Sequence, residues 1–282
     1  MSKPIPNALT VDVEDYFHVS NFEAVIARDQ WANMSPTAPD AVRRIIDTLA
    51  RYKVTGTFFV LGWMAQHHPD LVPRLVAAGH EVACHGFNHE CLHALSPRQF
   101  RDDIRRAKAL LEDQAGVAVN GYRAPSFTIN AATEWAIDVL IEEGFTYDSS
   151  IFPGRKKMPI GFLGVDRRPI RLQRPAGSLV ELPLARLEVL GKRLPFSGGG
   201  PFRAAPWFLI RAGVRDWHLR QGLPFVLFFH PWEIVPDQKR VPAGPMESFK
   251  HYFGLRGFER KIHRLLREFS FGPARDLLPL AD

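Results

Sequence analysis

Cysteine is nearly absent from this chain: Cys84 and Cys91 are the only two in 282 residues. A disulfide framework is thereby excluded, and a reducing compartment is expected. Long apolar runs are missing too. No stretch of about 18 apolar residues occurs, so no membrane-spanning helix is expected. The opening segment, MSKPIPNALTVDVEDYF, lacks the apolar core of a secretory leader, which makes a cytoplasmic location the expectation. Charge of one sign never gathers into a run. Lys and Arg total 36 against 30 Asp and Glu, a net charge of +6, but the basic residues are dispersed. The surplus reads as a basic solvated surface, and nucleic acid is not an expected partner. The aromatics sit in apolar segments and not among basic residues, which argues against a single-strand platform as well. Repeats and low-complexity segments are absent.

What is present is an alternation of short apolar runs with longer amphipathic stretches. NALTVDVE, GTFFVLGW, HEVACHG, VNGYRAP, TYDSS and PFVLFFHPWE read as strands, and AVRRIIDTLARY shows helical spacing of Val42, Ile45, Ile46 and Leu49. Ser96, Pro97 and Gly116 bracket a long helix as N-cap, first-turn proline and C-cap. Strand–helix alternation at these lengths means βαβ units. The expected fold class is α/β: a distorted (β/α) barrel of about seven parallel strands with an inserted hairpin-rich segment. A single domain over 1–282 is expected, with an irregular insertion at 152–206, rich in Pro, Gly and Arg, and a helical tail at 245–282.

The polar residues that break these strands cluster at their C-terminal ends: Asp12, Glu14 and Asp15; His85 and His89; Arg123; Asp148; His230. In a parallel barrel those ends form one face, which holds the active site. EVACHGFNHECLH, from Glu81 to His93, is the densest group. A structural zinc knuckle of Cys84, His85, His89 and Cys91 is one reading, although strand alternation points Cys84 away from His85. A chance group of loop histidines is another. The third is an open catalytic metal site of His85, His89 and a carboxylate. Asp12 and Glu14 share a strand face, which favours Glu14 over Asp15 as that carboxylate; a bulge after Val13 would reverse the choice.

TVDVED, HGFNH, YRAPSF, YDSS and FFHPWE stand in the order of the five motifs of the polysaccharide deacetylases (NodB homology, carbohydrate esterase family 4), which the chain resembles. NALTVDVEDYFHVSNFE, GGGPFR and HPWEIVPDQ are similar to the deacetylases associated with exosortase (PEP-CTERM) systems of exopolysaccharide clusters. The resemblance implies a distorted (β/α) barrel that binds a divalent ion, zinc by expectation, and removes N-acetyl groups from amino sugars. It implies Asp12 as the base, His85 and His89 with Glu14 or Asp15 as metal ligands, and Arg123 as the partner of Asp12. It further implies His230 as the general acid with Asp148 orienting it, and an oxyanion site at Ser126 after Pro125. The first motif departs from the family pattern of two adjacent aspartates, since Val13 separates Asp12 from Glu14. Trp232 either lines the sugar groove or packs in the core. The expected partner is an N-acetylated glycan or lipid-linked oligosaccharide; homo-oligomerisation stays open. Two other functions compete: hydrolysis of another non-peptide C–N bond, as in a cyclic amide or ureide, and glycan binding without catalysis.

Overall fold

The computed structural model describes residues 6–152, 165–189 and 192–281. Part of the expected insertion therefore lies outside the described residues. The chain runs through β1 (Asn7–Val13), α1 (Ala38–Tyr52), β2 (Thr57–Val60), α2 (Gly62–His67), α3 (Leu71–Ala77), β3 (Glu81–Cys84) and α4 (Pro97–Ala115). It continues through β4 (Gly121–Tyr122), α5 (Trp135–Glu142), β5 (Tyr147–Asp148), β6 (Ile170–Arg174), β7 (Gly177–Glu181), β8 (Arg186–Val189) and β9 (Lys192–Pro195). The remaining elements are α6 (Gly199–Ala204), α7 (Trp207–Gln221), β10 (Val226–Phe229), α8 (Pro245–Tyr252), α9 (Leu255–Glu268) and β11 (Phe271–Gly272).

The main sheet has the order β10-β1-β2-β3-β4-β5-β7-β6, with β11 also pairing β1. Every ladder is parallel except β6–β7, so β10, β1, β2, β3, β4, β5 and β7 form a run of seven parallel strands. The fold is α/β with a curled, mostly parallel half-barrel. Among the described residues no ladder joins β6 back to β10; a single bridge, Gly198 to Phe228, meets β10 on that side. Gly198 has to be glycine there, because a Cβ would lie 1.9 Å from the Phe228 carbonyl oxygen. The stretch that breaks the strand–helix rhythm supplies the last two strands of the sheet as well as the separate β8–β9 hairpin.

The helices form where the sequence concentrates the right signals. In α4 the Ser96 Oγ accepts from the Gln99 backbone N–H while the Gln99 side chain accepts from the Ser96 N–H, a reciprocal cap. Phe100, Ile104, Ala107, Leu111 and Ala115 then bury one stripe. In α1 the buried stripe is Ala38, Ala41, Val42, Ile45 and Leu49. The central strands β1, β2 and β3 are buried at every residue, as expected for a parallel sheet covered on both faces. Such strands leave the chain's polar chemistry only at their ends, where the loops begin.

Candidate active site

Five strand ends converge on one cavity of about 360 Å³, lined by Asp12, Glu14, His85, His89, Ser126, His230 and Trp232 among others. β1 ends at Val13, and Glu14 lies just past it. The Glu14 N–H donates back to the Asp12 carbonyl at 2.9 Å, a tight i to i+2 turn. The turn, rather than continued strand alternation, brings Glu14 to the cavity. His85 follows β3, and its N–H donates to the Val60 carbonyl. The loop to His89 is clamped by Asp103 of α4, which accepts from the Phe87 and Asn88 N–H groups at 2.8 and 3.3 Å. Gly86 and His89 both take positive φ, 74° and 52°. A histidine held left-handed at a cavity wall is strain of the kind that functional positions retain.

Glu14, His85 and His89 present one ligand atom each within 4.8 Å of one another, all buried. The His85 Nδ1–H donates to the Arg123 carbonyl at 2.8 Å. A carbonyl only accepts, so the lone pair of His85 is on Nε2 and free for a ligand. Glu14 Oε2 lies 2.6 Å from His89 Nε2, yet it is buried with no hydrogen bond of proper alignment. Burial would raise the Glu14 carboxyl, but His89, His230 and His85 around it override that and hold it well below the usual carboxylate range. Burial also pushes the His85 imidazole down to about 4. The imidazoles of His85 and His89 and the anionic carboxylate of Glu14, with a buried oxygen that has no aligned hydrogen bond, are the donor set of a divalent-metal site, and these residues fit one.

Asp15, carried above as the other candidate ligand, is directed elsewhere. Its carboxylate accepts from the Thr37 and Ala38 N–H groups at 2.6 and 2.7 Å, the Thr37 hydroxyl at 2.8 Å and the Tyr16 N–H at 2.9 Å. It ties the segment after β1 to the N-terminus of α1, where orphan N–H groups favour an anion. The cysteines take no part in the cluster. Cys84 is buried in the core and its thiol is pushed up to about 12 by burial. Cys91, also free, sits 4.0 Å from the Ser20 hydroxyl.

Arg123 is fully buried and pairs with Asp12 at 2.7 Å. Its guanidinium also donates to the Thr10 hydroxyl, the Ser149 carbonyl and the Ser149 hydroxyl, and lies 4.1 Å over the Phe59 ring. The YDSS motif thus acts through its serines: Ser149 braces Arg123, and the Ser150 hydroxyl accepts from the Ala124 N–H at 2.7 Å. Asp148 does not orient His230, contrary to expectation. It accepts from Ser150 and lies in register with Glu181 of β7. Burial pushes both carboxyls up, Glu181 more strongly with the Asp148 charge beside it.

The partner of His230 is Glu233, three residues on along a 3-10 turn. Glu233 Oε1 lies 2.8 Å from His230 Nδ1, and its other oxygen pairs with buried Arg203 of α6. Arg203 is fixed in turn by the Phe253, Lys250 and His251 carbonyls. His230 Nε2 faces Glu14 at 3.4 Å. Burial pushes the His230 imidazole down, but the charges of Glu14, Glu233 and Asp12 raise it to about 9. The sequence offers Glu233, with Trp232, as a residue of the sugar groove, whereas here it holds His230 and Arg203; Arg203 itself stands in the sequence only as the last letter of GGGPFR. Trp232 lies parallel to His230 and His251 at ring separations of 5.2 and 4.1 Å, so packing is its principal contact. Pro125 is buried at the start of a 3-10 turn, and Ser126 follows it on the cavity wall with φ 55°.

Residues 29–146 match the family model described as Polysaccharide deacetylase, and residues 149–279 match a domain of unknown function (DUF3473). The chain is 30% identical over 110 residues to a peptidoglycan deacetylase of Helicobacter pylori and 38% identical over 86 residues to a chitooligosaccharide deacetylase of Rhizobium leguminosarum. Those alignments cover 39% and 30% of this chain, and span 36% and 40% of the relatives' own lengths. A candidate polysaccharide deacetylase from Mycobacterium smegmatis, solved as a crystal structure, superposes with a TM-score of 0.61 at 26% identity, covering 96% of this chain and 90% of its own. Fold, motif order and these matches together establish that the chain carries a polysaccharide deacetylase domain of the NodB, carbohydrate esterase family 4, type.

Proposed function

We propose that this chain is a hydrolase that removes N-acetyl groups from amino sugars of a polysaccharide or its lipid-linked precursor, in the making of an exopolysaccharide. Its proposed cofactor is one divalent ion, zinc by the preference of two imidazoles and a carboxylate, held by Glu14, His85 and His89. The observation that carries the reading is that this donor set shares one cavity with a buried Asp12–Arg123 pair and a carboxylate-held His230.

When bound, the ion would supply Lewis acidity, polarising the acetyl carbonyl and acidifying a water molecule. Asp12 takes the proton from the attacking water, and Arg123 keeps its carboxylate in place. The C–N bond breaks as His230 delivers a proton to the sugar nitrogen, so acetate and a free amine leave. Glu233 holds the His230 ring through Nδ1, which leaves Nε2 as the atom that faces the cavity. Ser126 remains the proposed oxyanion-site residue. A binding-only role would tolerate the loss of base, donors or acid, and none is lost here. The test is acetate release from N-acetylated glucosamine oligomers alongside elemental analysis. The purified wild-type chain should carry metal and release acetate, and the His85→Ala, His89→Ala chain should do neither. Metal content unchanged in the double variant, or no acetate from metal-loaded wild type, would refute the reading.

A further inference from the structure

Most large apolar side chains of this fold are buried, and α8 departs from that beside the catalytic cavity. Met246 and Phe249 of α8, with Phe253 at its end, are 59, 59 and 50% exposed. Spacings of three and four residues set them on one helix face, and the Phe249 and Phe253 rings lie 4.8 Å apart. The opposite face anchors the helix. His251 is buried between Phe22 and Trp232, at ring separations of 4.6 and 4.1 Å. The result is an apolar ridge on a fixed support, and such a patch marks an interaction surface.

The charges around the ridge say what meets it. Lys250, on the same face, is exposed and lines the catalytic cavity. On the other side stands Tyr252, whose ring carries the Arg240 guanidinium at 4.0 Å. A cation thus borders the ridge on each side, and among the described residues neither makes an ion pair. From 237 to 256, Lys239, Arg240, Lys250 and Arg256 outweigh Asp237 and Glu247. Aromatic and thioether side chains flanked by long-stemmed cations fit the boundary between the acyl chains and anionic headgroups of a bilayer. No helix among the described residues is long and apolar enough to cross a membrane, so the contact is with one leaflet. A second copy of the chain fits less well, because a two-fold contact on this face sets cations against cations. We propose that the Met246–Phe249–Phe253 ridge of α8 docks this chain on an anionic phospholipid surface. Lys250 belongs to both the ridge and the cavity, so docking sets the cavity mouth at the headgroups. On the deacetylase reading, that is where a lipid-held glycan is met.

Vesicle flotation tests the docking without any sugar, so its outcome is independent of the deacetylase reading. Wild type should bind mixed phosphatidylcholine–phosphatidylglycerol vesicles at least about tenfold tighter than pure phosphatidylcholine vesicles, and high salt should shrink that preference. The Phe249→Ser, Phe253→Ser chain should bind the mixed vesicles about tenfold or more weaker, as expected when two rings leave the interface, with its thermal unfolding midpoint near wild type. Arg240→Gln should weaken binding about fivefold, the worth of one cation near an anionic surface. Leu219→Ser is the control. Leu219 is 86% exposed, but its neighbour His218 bonds Asn7 at the start of β1, the end of the barrel opposite the cavity. Its binding should stay within about twofold of wild type. The proposal is overturned if wild type binds neither vesicle, if it binds both alike, or if Leu219→Ser costs as much as the double substitution. Light scattering that shows a dimer in wild type and a monomer in the double variant overturns it as well, since the ridge would then be a contact between copies.

Discussion

Two walls of the active cavity are built on opposite principles. On the Glu14–His85–His89 wall, capacity is left over: a buried carboxylate oxygen without a bond and an imidazole lone pair turned inward by a bond on its other nitrogen. On the His230–Glu233–Arg203 wall, the chain closes on itself, His230 to Glu233 to Arg203 to three main-chain carbonyls. The open wall is arranged to take a ligand, and the closed wall to hold one side chain still. Asp12 stands between them, tied to Arg123 on one side and open to the cavity on the other. The same contrast separates Glu14 from its neighbour Asp15, whose carboxylate is fully used in capping α1.

Substitutions can sharpen that contrast. The largest effect on turnover should come from Asp12→Asn, which keeps the metal and loses about 10²–10⁴-fold in kcat, the usual worth of a positioned base; activity within about threefold of wild type would place the base elsewhere. Next is Glu233→Gln. With the closed wall opened, kcat should fall by about 10–100-fold, the range seen when a partner that orients a functional histidine is removed, while KM and bound metal stay near wild type. A change confined to KM would make Glu233 a binding residue instead. Asp15→Asn should act on stability: about 1–3 kcal/mol lost in denaturant unfolding, as expected for weakened bonds to helix N–H groups, with metal content intact.

The smallest effect is on acid stability. Burial pushes the His80 and His251 imidazoles down to about 4 and 3. Below about pH 6.5 the unfolded chain binds protons that these folded histidines refuse, so stability should fall as pH drops from 6.5 toward 4. His251→Gln should flatten part of that slope in urea titrations across the range; an unchanged slope would mean His251 is not held neutral.

Much of this was legible in the chain itself because it is local. Ser96 as N-cap, Pro97 in the first turn and Gly116 at the end announce α4, and the apolar strands announce where their polar ends must meet. Val13 hid a subtler point. Strand alternation put Glu14 on the Asp12 face, but the strand has already ended there, and a two-residue turn does the positioning. The assignment of Asp148 to His230 failed for a non-local reason. β5 is two residues long, and its pairing with β7 sets Asp148 beside Glu181. β7 lies in the stretch whose rhythm gave the least information. Arg203 and Glu233 are thirty residues apart and meet only because α6 packs against the turn after β10.

The central claim is that Glu14, with two histidines, holds a divalent ion while Asp15 does not. Its most direct test is the metal content of wild type, Glu14→Gln and Asp15→Asn, each stripped with chelator, reloaded with zinc, desalted and analysed. The account predicts one ion per chain in wild type and in Asp15→Asn, and none in Glu14→Gln. Loss confined to Asp15→Asn, or full occupancy in Glu14→Gln, would contradict it.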